Sequence, residues 1–106
     1  MKEQPNLSYI EKLSGGDKMF EEKLLNVVRR ELPEEIAVFH KNIEDNNFSE
    51  AAANVHKLKH KISILGLEES YHFAETYEEE LRDNKNEKQS HFEEILKNMS
   101  AFVKGT

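Results

Sequence analysis

The chain has 106 residues, 15 Lys or Arg against 21 Asp or Glu, a net charge of −6, five histidines and neither cysteine nor tryptophan. That length suits one domain with a single small core; the absence of cysteine excludes a disulfide framework or thiolate metal site, and the acidic balance argues against nucleic acid, whose phosphates need clustered Lys and Arg. No apolar run approaches the roughly 20 residues that span a bilayer, and residues 1–16 lack the apolar core of a signal peptide, so no membrane partner and a cytoplasmic setting are expected.

Residues 1–6 (MKEQPN) read as a disordered start. Leu7, Ile10 and Leu13 predict a short helix, stopped by Ser14, Gly15 and Gly16, that lids one end of the core. Asp17 is placed to cap the first long helix, whose opening stripe is Phe20, Leu24, Val27 and Val28. Pro33 interrupts it. The later set Leu32, Ile36, Phe39 and Ile43 sits about 100° further round, so a kink at Pro33 would bring both sets to one core. Residues 44–47 form a polar turn, with Asn46 or Asn47 available to cap the next helix.

That helix, over residues 48–66, carries Phe48, Ala51, Val55, Leu58, Ile62 and Leu65 at spacings of three and four, one apolar stripe of an amphipathic helix. On the neighbouring flank, expected to meet water, fall His56, Lys59, His60 and Ser63, with the small Ala52 one turn before His56. Gly66 suits the left-handed end of this helix, and so short a connection forces an antiparallel hairpin with the next one, striped by Leu67, Tyr71, Ala74, Tyr77 and Leu81. Residues 83–86 are polar. A last helix from about Lys88 to Val103 shows Phe92, Ile95, Leu96, Met99, Phe102 and Val103, closed by Gly105. The predicted fold is all-α: an antiparallel up-and-down four-helix bundle with a short N-terminal helix, one domain over residues 1–106.

Only the histidine helix looks like chemistry. Its formal charges between residues 51 and 67 are Lys57, Lys59 and Lys61, so it carries +3 while the remainder carries −9. Such a basic island suits an acidic pocket on a protein partner, or merely solvates an exposed helix. Folding the hairpin about Gly66 and Leu67 pairs positions that sum to about 133 or 134. His56 then lies across from Tyr77 and Glu78, and Arg82 across from Ala51 and Ala52. A carboxylate at one ring nitrogen fixes the tautomer and leaves the other free as nucleophile, while Lys and Arg neutralise an incoming phosphoryl group. There is no G-x-G-x-x-G and no Walker lysine, so no ATP-dependent activity is expected. His40, His72 and His91 read as surface or boundary residues. Phe73 and Ile64 lie off their stripes, fit either for docking or for helix-end packing.

These residues resemble the histidine-containing phosphotransfer (HPt) domains of multistep two-component phosphorelays. Their signature is a helix reading H-x-L-K-G, a small residue and a glycine, then an L-E-x-x-x-R-like stretch in the next helix. It is matched by His56-Lys57-Leu58-Lys59, Ser63, Gly66, and Tyr77-Glu78 with Arg82, and the resemblance covers essentially the whole chain. It implies that His56 accepts a phosphoryl group from a receiver-domain aspartate and relays it to another receiver. Lys59, His60, Ser63, Glu78 and Arg82 would neighbour the imidazole or phosphate, and Ala52, Lys57, Lys59 and Ser63 would line the docking surface. The implied partners are response-regulator receiver domains, with a freestanding shuttle and a piece of a hybrid sensor kinase both open. No cofactor is implied in this domain, Mg²⁺ being expected on the receiver. One departure stands out: where the family usually has glycine, this chain has His60, whose bulk would shade His56 or restrict the approach of a receiver, or whose ring would donate a hydrogen bond to the phosphoryl oxygens. Two other readings are a metal module built on His56 and His60, with Glu78 as third ligand and three lysines opposing it, and a non-catalytic helical adaptor that docks a receiver or another protein.

Overall fold

The computed structural model describes residues 3–106; Met1 and Lys2 fall outside the described residues. Its helices are α1 (Ser8–Ser14), α2 (Lys18–Glu44), α3 (Phe48–Ile64), α4 (Glu68–Arg82) and α5 (Gln89–Lys104), with no strand among the described residues. The four long helices form the predicted bundle, and α1 is the appendage. α3 packs most extensively against α4 and then α2, so the histidine helix is held from two sides. No helix among the described residues is long and apolar enough to cross a membrane.

Asp17 caps α2 as its sequence position predicts, its carboxylate accepting from Met19 N at 3.0 Å and Phe20 N at 3.2 Å. The helix then runs through Pro33 without a break to Glu44. Val28, Leu32, Ile36, Phe39 and Ile43 follow one another at three or four residues, so one stripe crosses the exposed proline and no change of direction is needed to join two apolar sets. The rest of the earlier set fares differently. Phe20 is 43% exposed, and Leu24 and Val27 are only half-buried, because the first turns of α2 lie beyond the main core, which begins at Val28. In α1 only Ile10 is buried, and Leu13 is 51% exposed.

The centre of the bundle is aromatic. Phe39, Tyr77 and Phe92 are fully buried, with ring centroids 5.1 to 6.2 Å apart, and the Tyr77 hydroxyl donates to Asn86 Oδ1 at 2.6 Å. Ala51, Val55, Leu58 and Ile62 of the predicted α3 stripe face inward, joined by Ala52. Asn47 precedes α3 but makes no side-chain cap, and Asn46 instead takes the left-handed turn at φ 55°.

The tight α3–α4 turn depends on Gly66, at φ 77°. It is covered by the N-terminal segment: Asn6 N donates to Leu65 O at 2.9 Å. Glu3 accepts from Glu69 N at 2.7 Å and Ser70 N at 2.9 Å. The expected disordered start therefore does not hold from Glu3 onward. The first N–H groups of α4 have no partner within the helix, and a carboxylate from the chain's beginning satisfies two of them while meeting the positive end of the helix dipole.

Candidate functional site

The exposed stripe of α3 runs Ala53, His56, His60, Ser63, at intervals of three, four and three. His56 is the half-exposed centre of it, with 54% of its side chain open to solvent. Its Nδ1 lies 3.3 Å from Glu78 Oε2, across the hairpin as the pairing of positions predicts. The other ring nitrogen, Nε2, is on the opposite edge of the imidazole.

Glu78 is the hub of the site. Nearly buried, it meets Lys59 Nζ at 3.0 Å through Oε1 and Arg82 at 2.6 Å through Oε2. Burial by itself would push the carboxyl up. The hydrogen bond from Arg82 and the ammonium of Lys59 outweigh it and hold Glu78 below the usual carboxylate range. It is thus an anion, placed to favour a protonated Nδ1 on His56 and a free lone pair on Nε2.

Lys59 is not where its helical position suggests. The expectation that it shares a solvated flank with His56 is corrected: it is buried, turned under α4 with its ammonium on Glu78 and 5.5 Å from the centre of the Tyr71 ring. A lysine stem carries its charge several ångströms from its Cβ, and the nearest buried carboxylate decides the direction. Lys61 behaves alike, its ammonium 2.9 Å from Glu31 and 3.0 Å from Glu35 on α2. Sequence reasoning missed those two glutamates, although pairing α2 against α3 as an antiparallel hairpin would have aligned them with Lys61. Of the three lysines in the basic island only Lys57 is exposed.

Ala52 is fully buried, so its expected place on a docking surface is also corrected; one residue of helix turn rotates it into the core. His60 is exposed, and its ring stands nearly perpendicular to that of His56, with centroids 5.4 Å apart and planes at 78°. Ser63 is exposed two turns from His56 and, among the described residues, its side chain makes no hydrogen bond to the Glu78 cluster. It lines a cavity of about 480 Å³ with Ser8, Tyr9, Lys12 and Tyr71, between α1 and the start of α4. Among the described residues no group of three or more His, Cys, Asp or Glu side chains is placed to hold a metal ion, and Glu78 is already shared between two cations. Phe73 and Ile64 are half-buried against the core, Phe73 with its ring 4.4 Å from that of His91. His40, His72 and His91 are exposed.

The family model of the Hpt domain matches residues 23–104. The chain belongs to the Hpt domain family. No curated protein and no solved structure matches it. Hpt domains carry phosphoryl groups in two-component signalling and work with receiver domains, so this Hpt domain is a module of that kind. The matched region contains α3, α4 and all of α5, and with them His56, Lys59, Glu78 and Arg82; α1 and the first turn of α2 lie outside it.

Proposed function

We propose that this Hpt domain accepts a phosphoryl group on Nε2 of His56 from a receiver aspartate and passes it to a second receiver. The observation that carries the reading is the pairing of a half-exposed imidazole with a nearly buried, ionised carboxylate 3.3 Å from its Nδ1.

In the transfer, the Nε2 lone pair attacks phosphorus in line while the aspartyl O–P bond breaks and its electron pair leaves on the carboxylate. The imidazole gains positive charge as the N–P bond forms. Glu78 offsets that charge until the Nδ1 proton passes to solvent, and α3, clamped between α2 and α4, keeps the ring in place. A receiver-held Mg²⁺ would neutralise phosphoryl oxygens during this step. The domain itself needs only a presented nucleophile and modest electrostatic support.

The test mixes a receiver, phosphorylated with a small phosphodonor and Mg²⁺, with the wild type and with His56→Gln. Acid-labile, base-stable phosphate on the wild type alone is expected. Its absence from the wild type across a panel of receivers, with binding retained, would leave a docking adaptor in place of a relay.

A further inference from the structure

We infer that His60 is the group that holds the phosphoryl group once it is on His56, in the place that the resemblance assigns to Lys59. The inference rests on the reading that His56 is phosphorylated. Its ground is the direction of the charges around the ring. Lys59 is buried and bound to Glu78. Arg82 is bound to the same carboxylate, on the Nδ1 side of His56. Lys61 is occupied by two glutamates of α2. Each of these cations has its partner in a carboxylate inside the molecule, and drawing Lys59 out to the far edge of the imidazole would break a nearly buried ion pair.

His60 has no such engagement. It is exposed, has no hydrogen-bond partner among the described residues, and sits one helical turn from His56 with the rings 5.4 Å apart. That spacing brings a group carried on one ring within hydrogen-bond reach of the other. A neutral imidazole offers one N–H to a phosphoryl oxygen; as an imidazolium, with a proton drawn by the phosphoryl dianion, it offers charge as well. Both effects oppose loss of the phosphoryl group. They stabilise its oxygens, and a neighbouring cation disfavours the protonation of the His56 ring that makes the imidazole a better leaving group. His60 is a positioning residue in this scheme, and it does not itself attack phosphorus.

The experiment phosphorylates wild type, His60→Gly, His60→Phe and His60→Lys chemically with phosphoramidate, locates the label by peptide mass spectrometry with His56→Gln as control, and follows its hydrolysis at pH 7. His60→Phe retains a ring against His56 and loses the donor; His60→Lys loses the ring and retains a cation. All three changes are at an exposed position, so folding is spared. The expected result is a phosphohistidine lifetime shortened about threefold or more in the Gly and Phe variants and restored by Lys. Equal lifetimes in all four proteins, or protection by Phe but not Lys, overturns the role given to His60. Label on His56 from phosphoramidate but from no receiver defeats the relay reading alone, while the order of lifetimes still decides the role of His60. Absence of label on His56 defeats both.

Discussion

Lys59 Nζ and Glu78 Oε1 lie 3.0 Å apart with only 11% and 10% of their side chains exposed, so the contact that ties α3 to α4 beside His56 is a nearly buried ion pair. Removing one member leaves the other charge in a poor solvent. Glu78→Gln is therefore expected to lower the unfolding free energy by about 3 kcal/mol, read from urea denaturation. The double change Lys59→Met with Glu78→Leu removes both charges and should recover most of that loss. A double variant as weak as the sum of its singles would mean that the two residues act independently.

Stability should form a plateau in pH with two charged edges. On the acid side Glu78 is held below its ordinary value by Arg82 and Lys59 against the pull of burial, and Glu31 is held low by its hydrogen bond from Lys61. A depressed carboxyl stabilises the fold above about pH 4.5, and that contribution is lost as pH falls through the folded-state value. On the alkaline side burial would lower the Lys61 ammonium, but Glu31 and Glu35 more than compensate and raise it. Burial, with the charge of Glu93, pushes the Tyr77 phenol up as well. Raised groups stabilise below their ordinary values near 10 and lose that effect as pH rises past them. Urea midpoints measured across pH should fall at both ends. Glu78→Gln flattens the acid edge and Lys61→Met the alkaline one.

Gly66 should accept a side chain only at a cost in stability. Its φ of 77° is left-handed, and a Cβ there would stand 2.6 Å from Asn6 Oδ1. Gly66→Ala is expected to cost about 1–2 kcal/mol for the backbone conformation alone, and trimming Asn6 to Ala should return only the part due to the clash. Gly105→Ala is the control: φ is ordinary and the nearest atom is 3.6 Å away, so its thermal midpoint should stay close to wild type.

The aromatic centre predicts a graded response. Tyr77→Phe removes the hydrogen bond to Asn86 and keeps the ring, a loss of about 1 kcal/mol. Phe92→Ala opens a cavity between Phe39 and Tyr77 and should cost about 3–5 kcal/mol. Thermal melts in which the two variants were equally destabilised would contradict the packing described.

The four long helices, their order and the antiparallel hairpin were legible from apolar spacing, because period 3.6 and short polar turns leave few ways to bury the stripes. The approach of His56 to Glu78 was legible too, since a tight turn at Gly66 sets the register of two rigid helices. Phe20 shows the limit of a stripe read alone: periodicity tells which face is apolar, and not whether a neighbour reaches that far along the helix.

What the sequence by itself determined was the bundle, the exposed imidazole and the residue types around it, all consequences of local geometry repeated along the chain. The tertiary structure decided where the charges go. Lys59 shares a flank with His56 at its Cα yet delivers its ammonium to Glu78, Lys61 reaches back to α2, and Glu3 caps a helix that begins only at Glu68. A helical wheel places Cβ atoms, whereas a long side chain or a distant segment goes to whichever opposite charge or unpaired N–H the packing brings near, and that choice exists only once the helices are assembled.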